Sequence, residues 1–153
     1  MAFAYDAVLF DLYGTLVDDV GKPAAGVHAL LASLAGARWG VVTSCPRKLA
    51  ERLLSLGAID VPLLVGADDV AANKPAPDGY LLAAKRLAVE PEKTLVIEDS
   101  VAGITAGRAA GMDVVAILRG RAPEMAHAAT FSVKDLAALQ LIVTDGEIQL
   151  EGV

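Results

Sequence analysis

Short, unbroken apolar runs alternate with longer amphipathic stretches along most of this chain. Unbroken apolar character is typical of parallel strands that are covered on both faces. The predicted strands are Ala7–Phe10, Trp39–Thr43, Leu63–Val65, Thr94–Glu98 and Val114–Leu118. The predicted helices between them are Ala25–Ala35, Arg47–Leu56, Pro77–Ala88 and Val101–Ala110. Strands alternating with helices predict an α/β fold, a doubly wound parallel sheet in a Rossmann-like domain.

Polar residues stand where several of these strands end. Asp11 follows the first strand, Thr43 ends the second, and Glu98 and Asp99 end the fourth. Ligands of doubly wound domains bind outside the carboxyl ends of the strands, so these side chains are expected along one edge of the sheet. The pattern therefore predicts a site at that edge, with paired carboxylates that suit a metal ion.

The carboxyl-terminal residues follow a different pattern. Two further β-type runs, Gln140–Thr144 and Glu147–Glu151, flank Asp145-Gly146, a dipeptide favoured in tight hairpin turns. We predict a core domain over residues 1–139 and an appended β-hairpin over residues 140–153. The hairpin would extend a sheet edge or pair with another subunit.

Composition narrows the possible roles. A chain of 153 residues fits one domain, and a content of 55% hydrophobic but only 5% aromatic residues predicts a core of Ala, Val and Leu. The net charge of −6 argues against nucleic-acid binding, which calls for a basic face. We expect no membrane span, no secretion signal and, with Cys45 as the single cysteine, no internal disulfide. These features predict a soluble, cytoplasmic protein.

Four short motifs occur in order, each at a predicted strand end or helix start. They are Asp11–Thr15, Val41–Ser44, Lys74–Asp78 and Glu98–Ser100, the last followed by Ala102–Gly107. Together they resemble the haloacid dehalogenase superfamily, in its β-phosphoglucomutase-like and sugar-phosphatase-like branch. The resemblance covers nearly the whole chain, and four ordered motifs are far more specific than any one of them.

The resemblance implies a hydrolase of phosphate monoesters that uses Mg²⁺. Asp11 would be the nucleophile and form an aspartyl-phosphate. The ion would be held by the side chains of Asp11 and Asp99 and by the backbone carbonyl of Tyr13. Glu98 would be a further ligand or would accept hydrogen bonds beside the ion.

The other motif residues would hold the phosphoryl group. The resemblance assigns its oxygens to the hydroxyls of Thr43 and Ser44 and to the ammonium of Lys74. A lysine there also reduces the repulsion between Asp11 and an anionic substrate. The implied substrate is a small phosphorylated molecule or a larger phosphorylated partner. Arg119 and Arg121, beyond the fifth strand, could meet an anionic substrate, but they are interpreted as solvated loop charges.

Two departures from the family pattern bear on activity. Phosphatases of the superfamily carry an acid/base Asp where this chain has Tyr13, and a phenol with a reference pKa of about 10 is a poor base near neutrality. Relatives insert a helical cap domain after the first motif, whereas here only about Val17–Pro23 is left for one. We therefore expect weak or restricted turnover at an open site. Such a site would either suit a large substrate or be covered by a second subunit of a homo-oligomer.

Two alternatives to the phosphatase hypothesis stay open. One is a non-catalytic module that binds Mg²⁺ and phosphate or acts as a scaffold. The other is a metal-independent 2-haloacid dehalogenase, because that branch carries Tyr at the position of Tyr13. The pair Glu98-Asp99, the motif Lys74-Pro75 and the absence of a cap argue against the dehalogenase.

Overall fold

A computed structural model of the protein describes residues 3–121 and 123–153. Its centre is a six-stranded, all-parallel sheet in the order β4-β3-β2-β5-β6-β7. The strands are β2 (Ala7–Phe10), β3 (Arg38–Val42), β4 (Leu64–Val65), β5 (Thr94–Glu98), β6 (Asp113–Ile117) and β7 (Phe131–Val133). The helices are α1 (Val27–Ala32), α2 (Arg47–Leu56), α3 (Asp78–Arg86), α4 (Val101–Ala109) and α5 (Pro123–Ala128). The predicted α/β class and parallel sheet are confirmed.

The central strands lie where the apolar runs predicted them. Strands β2 and β5 are paired in register, Ala7 beside Thr94 and Phe10 beside Ile97, and every residue of both is buried. Two apolar clusters cover the sheet, one containing Phe10, Trp39 and Ile97 on one face and the other containing Leu9 and Val96 on the opposite face. Burial on both faces explains why these strands are unbroken apolar runs rather than alternating ones.

Several predicted boundaries were wrong. Helix α1 covers Val27–Ala32 rather than Ala25–Ala35, because Gly26 at φ 81° begins it and it ends at Ser33. Strands β7 and β1 (Phe3–Tyr5), and helix α5, were not predicted at all.

A second, three-stranded sheet contains the predicted hairpin. Strands β8 (Gln140–Thr144) and β9 (Glu147–Glu151) pair around the Asp145-Gly146 turn, and β9 also pairs with β1, Phe3 opposite Leu150. Leu141, Ile148 and Leu150 pack in the same apolar cluster as one face of the parallel sheet. The division into domains at residue 139 stays a prediction, and its first part includes Met1, Ala2 and Ala122, which lie outside the described residues.

Within the described residues, no helix is both long and apolar enough to cross a membrane.

Candidate active site

Three carboxylates converge at the carboxyl end of the two central strands. Asp11 follows β2, Glu98 ends β5 and Asp99 comes next, and all three residues are buried. One carboxylate oxygen of each lies within 4.8 Å of the others. Because β2 and β5 are parallel neighbours, their register alone brings Asp11 beside Glu98 and Asp99.

Lys74 is the cation at the centre of this cluster. Its Nζ donates to Asp11 Oδ1 at 2.7 Å, to Glu98 Oε2 at 2.6 Å and to the carbonyl of Val42 at 2.9 Å. An ammonium has three protons, so these three acceptors use all of them. Burial alone lowers the pKa of Lys74, but the charges of Asp11 and Glu98 outweigh it, and the pKa is raised. Lys74 is therefore held as a cation.

The ionised form of Asp11 is disfavoured despite this partner. Burial raises the pKa of the Asp11 carboxyl well above its usual range, the charge of Glu98 raises it further, and Lys74 only partly opposes them. A bound cation would reverse that balance and favour the ionised nucleophile.

Glu98 is enclosed by groups that fix its direction. Its Oε2 accepts from the Tyr80 hydroxyl at 2.6 Å as well as from Lys74, and its Oε1 accepts from the backbone N–H of Asp99 at 3.2 Å. Gly103 leaves room for it, since a Cβ there would lie 1.9 Å from the Glu98 carboxyl carbon. Burial, and then the charge of Glu98, raise the pKa of the Tyr80 hydroxyl well above its usual range. Tyr80 therefore keeps its proton and donates it in a hydrogen bond to Glu98.

Asp99 is held from the opposite side by the loop after β2. The Thr15 hydroxyl lies 3.2 Å from Asp11 Oδ2 and 3.3 Å from Asp99 Oδ1, so it can donate to either carboxylate. Gly14 has φ 87°, and a Cβ on it would lie 2.3 Å from Asp99 Oδ2. Ser100 caps α4 by accepting from the Gly103 N–H at 3.1 Å. A capping role for Asp99 is thereby ruled out, and its oxygens face the cleft.

The cleft above the carboxylates has a volume of about 560 Å³. Its lining includes the predicted residues Asp11, Tyr13, Thr43, Ser44, Lys74 and Asp99, together with Cys45, Ser100, Ala102 and Arg121. Thr43 is buried and its Oγ1 accepts from the Cys45 N–H at 3.2 Å, whereas Ser44 is exposed. Tyr13 is 55% exposed, so its phenol faces solvent at the mouth of the cleft.

Both loop arginines are exposed, as solvated charges would be, but each also has a protein partner that was not predicted. Arg121 Nη2 donates to Asp99 Oδ2 at 3.1 Å, and Arg119 Nη2 donates to the Thr15 carbonyl at 3.1 Å. The loop after β6 therefore contacts both the carboxylate cluster and the first motif. Position in a loop gave no sign of these partners.

The structure brings every predicted site residue to one place, but their catalytic roles stay predictions. Glu98 lies beneath the cleft and its Oε2 is shared by Lys74 and Tyr80, an arrangement that favours the acceptor role over direct metal ligation. The sequence interpretation assigned no role to Thr15 or Tyr80, and it did not predict the contact between Arg121 and Asp99. Thr15 ends the first motif and Tyr80 lies two positions after the third, but only the fold shows which groups their hydroxyls contact.

The donor set fits a magnesium ion. Three buried carboxylates face two cations, Lys74 and Arg121, so the acidic groups outnumber the basic ones. Carboxylate oxygens are ligands that Mg²⁺ prefers, and the open cleft leaves room for the waters that this ion retains. Asp11 and Asp99 are the carboxylates that reach the cleft.

The segment between β2 and α1 is short. Residues 11–26 contain turns and isolated bridges that pair Val17 with Tyr13 and Pro23, and this described segment contains no helix. The cleft is therefore not covered by any structure inserted between β2 and α1.

Comparisons with known proteins agree with this fold. A family model described as haloacid dehalogenase-like hydrolase matches residues 17–111. Validoxylamine A 7'-phosphate phosphatase of Streptomyces hygroscopicus subsp. limoneus is 42% identical over 103 residues, which are 66% of this chain and 48% of that protein. Phosphoglycolate phosphatase of Xylella fastidiosa (strain 9a5c) is 39% identical over 112 residues, which are 71% of this chain and 49% of that protein.

The solved structures support the same architecture. A β-phosphoglucomutase from Clostridium difficile superposes with a TM-score of 0.76 at 18% identity, covering 89% of this chain and 93% of that one. At this identity the likeness concerns the fold alone. The chain spans about half the length of the curated relatives named above.

Proposed function

The chain belongs to the haloacid dehalogenase-like hydrolase family, and we propose that it hydrolyses phosphate monoesters in a Mg²⁺-dependent reaction, with Asp11 as the nucleophile. The observation that carries this proposal is the buried cluster itself, in which Asp11, Asp99 and Lys74 meet at the floor of an open cleft. Burying several carboxylates around one ammonium costs free energy of folding, and such an arrangement is typical of sites built for chemistry.

The reaction has two displacements at phosphorus. An oxygen of Asp11 forms a bond to phosphorus while the ester P–O bond breaks, and the leaving oxygen departs with the electron pair and takes a proton from solvent. Water then attacks the phosphorus of the aspartyl-phosphate, the bond to Asp11 breaks, and the water's proton passes to solvent. When bound by Asp11 and Asp99, Mg²⁺ would supply charge neutralisation for the phosphoryl oxygens.

Lys74 and Thr15 prepare the nucleophile for this attack. Lys74 fixes Asp11 Oδ1 at 2.7 Å, and the Thr15 hydroxyl lies 3.2 Å from Oδ2, so the direction of the carboxylate is set before substrate arrives. Such pre-orientation removes reorganisation from the barrier. Thr43 and Ser44, which line the same cleft, are proposed to hold phosphoryl oxygens.

Tyr13 sets the expected limits on turnover. A phenol that faces solvent is a poor base near neutrality, and losing general acid–base help typically costs on the order of 10²–10⁴ in rate. We therefore propose slow turnover that favours esters with good leaving groups. The named activities of the relatives, on phosphoglycolate and on validoxylamine A 7'-phosphate, support a small phosphorylated substrate.

Hydrolysis of p-nitrophenyl phosphate tests the proposal. We expect phosphate release that needs Mg²⁺, stops with a chelator and falls by at least about 10³-fold in Asp11→Asn. Asp19→Asn, an exposed carboxylate in the same loop that lies outside the cleft lining, is the matched control and should keep full activity. Turnover that survives Asp11→Asn would contradict the nucleophile assignment.

Tyr13 is the observation that supports a second candidate. In a 2-haloacid dehalogenase, Asp11 would attack carbon and expel halide without a metal. Chelator-resistant halide release from 2-chloropropionate would favour that chemistry. Mg²⁺ binding without release of phosphate or halide would instead favour the non-catalytic binding module.

A further inference from the structure

Arg121 is a cation at the mouth of the cleft that the proposed chemistry does not use. Its guanidinium contacts Asp99 Oδ2 at 3.1 Å, and 45% of its side chain remains exposed. A guanidinium has five N–H donors, so a single contact of this kind leaves others directed at the cleft or at solvent. Arg121 therefore combines a fixed position with spare hydrogen-bonding capacity.

The backbone around Arg121 is anchored. The Arg121 N–H donates to the carbonyl of Leu118 at 2.8 Å, and the Arg119 N–H donates to the carbonyl of Lys134 at 2.7 Å. The Arg119 side chain is bonded to the Thr15 carbonyl and lines the neighbouring cavity instead. Of the two arginines, Arg121 is the one presented to the cleft.

Lys74 does not supply the same capacity. Its three protons are directed at Asp11, Glu98 and Val42, and its side chain is only 9% exposed. Among the described residues that line the cleft, Arg121 is thus the cation with N–H groups left for a ligand. Its planar fork matches carboxylate and phosphate oxygens better than a point charge does.

The contact between Arg121 and Asp99 also places the arginine in competition with a cation. Both would use the same Asp99 carboxylate, which is only 10% exposed and has limited room for two partners. A divalent ion at Asp99 would repel the guanidinium and release it toward the cleft mouth.

From this geometry we propose that Arg121 is a specificity-determining residue, which selects phosphate monoesters with a second negative group on the leaving group. Its bond to Asp99 yields when a divalent cation binds. This inference rests on the function proposed above and adds the class of substrate. Without a cover inserted between β2 and α1, recognition of the leaving group falls to residues on the edge of the core, and Arg121 has the charge for it.

Calorimetric titration of Mg²⁺ into the full chain tests the competition without reference to turnover. We expect Arg121→Gln to bind Mg²⁺ about tenfold more tightly than the wild type, because Asp99 loses a competing partner. Arg121→Lys keeps the charge and should stay within about threefold of the wild type. Arg52→Gln, an exposed arginine in α2 outside the cleft lining, makes the same charge change and should have no effect.

Two matched esters test the selectivity. Carboxymethyl phosphate and 2-hydroxyethyl phosphate differ in the carboxylate, and the ratio of their kcat/KM values should fall about tenfold in Arg121→Gln, mainly through KM. Arg121→Lys should restore part of the ratio, and Arg52→Gln should leave it unchanged. An unchanged ratio in Arg121→Gln, or Mg²⁺ binding that is unchanged or weaker in that variant, would overturn the inference.

The proposed phosphatase function can fail while the proposed role of Arg121 holds. If neither ester, nor p-nitrophenyl phosphate, is hydrolysed by the wild type, the phosphatase proposal fails. The same two esters are then titrated as ligands in the presence of Mg²⁺. A loss of preference for the charged ester in Arg121→Gln still supports Arg121 as the anion-recognition residue, and equal affinities in the wild type reject it.

Discussion

Two cavities open at the same end of the parallel sheet, and the larger one lacks the buried charges. It has a volume of about 650 Å³, against about 560 Å³ for the cleft above Asp11. Its lining consists of Val17, Asp18, Lys22, Pro23, Ala24, Ala25, Arg119, Gly120, Lys134, Asp135, Leu136 and Ala137. The loop that carries Arg119 and Arg121 separates the two.

The difference lies in where the charges are. In the larger cavity Asp18, Lys22 and Lys134 are exposed, so solvation stabilises each one separately. In the cleft the carboxylates and Lys74 are buried and depend on one another. Buried ionised groups are costly, so their convergence distinguishes a candidate site better than cavity volume does.

Replacing one lysine in each cavity should show the difference between the two cavities most clearly. Lys74→Met leaves Asp11 and Glu98 without their cation, and we expect a loss of about 3–5 kcal/mol in the free energy of unfolding. Lys134→Met removes the same charge from an exposed site and should change stability by less than about 0.5 kcal/mol. Urea unfolding at pH 7 measures both. Equal losses would show that the cleft charges are not interdependent.

Two glycines provide the next contrast. Gly14 and Gly26 both have positive φ, 87° and 81°, so an alanine at either strains the backbone by roughly 1 kcal/mol. Only at Gly14 would the new Cβ meet a carboxylate, Asp99 Oδ2 at 2.3 Å. We expect Gly14→Ala to weaken Mg²⁺ binding at least about tenfold and Gly26→Ala to leave it unchanged, as measured by calorimetry. Similar affinities in the two variants would argue against Asp99 as a ligand.

Restoring an acid at the cleft mouth should raise turnover. Tyr13→Asp supplies a carboxyl group for proton transfer, and we expect about a tenfold or greater increase in kcat for p-nitrophenyl phosphate with Mg²⁺. Val20→Asp adds a carboxylate to the same loop at a residue outside the cleft lining and is the control. If Val20→Asp raised kcat equally, the effect would be one of general charge rather than of position.

The smallest expected effect concerns stability and pH. Because the pKa of Asp11 is raised in the folded state, the folded protein holds a proton that the unfolded chain has lost, and stability falls as pH rises above about 4. Asp11→Asn removes this penalty and should stabilise the metal-free protein relative to the wild type at pH 7. The advantage should shrink toward pH 4 and on addition of Mg²⁺ to the wild type. Thermal unfolding of both proteins between pH 4 and pH 7 measures this difference in stability. If Asp11→Asn were less stable than the wild type at pH 7, the raised pKa of Asp11 would not be the cause.

The centre of the fold was predicted well because each central strand is an unbroken apolar run that can be recognised in the sequence by itself. The bounds of Ala7–Phe10 and Thr94–Glu98 match the structure, as do those of α2 and of the hairpin. Strands β1 and β7 have only three residues each, too few for any periodicity. Their pairing with β9 and β6 is a long-range contact that no local pattern records.

The candidate site likewise has a part that the sequence predicted and a part that it did not. Ligands of doubly wound domains bind outside the carboxyl ends of the strands, and this rule was enough to place Asp11, Thr43, Glu98 and Asp99 together. It works because neighbouring parallel strands end at the same edge of the sheet. It gave no information on Tyr80, whose hydroxyl reaches Glu98 from a helix, or on Arg121, whose partner Asp99 lies 22 positions away. Such contacts depend on where each side chain points after the helices, strands and loops have packed together. The spacing of residues along the sequence does not give that direction.

The pairing of β1 with β9 has a consequence for how the chain is made. Phe3 lies opposite Leu150, so β1 gains its partner only after the residues up to β9 have been synthesised. All six strands of the parallel sheet precede β9 in the chain. During that interval β1 has an unpaired edge that is open to other chains. Closure of the small sheet is therefore expected to be a late, high-contact-order step of folding.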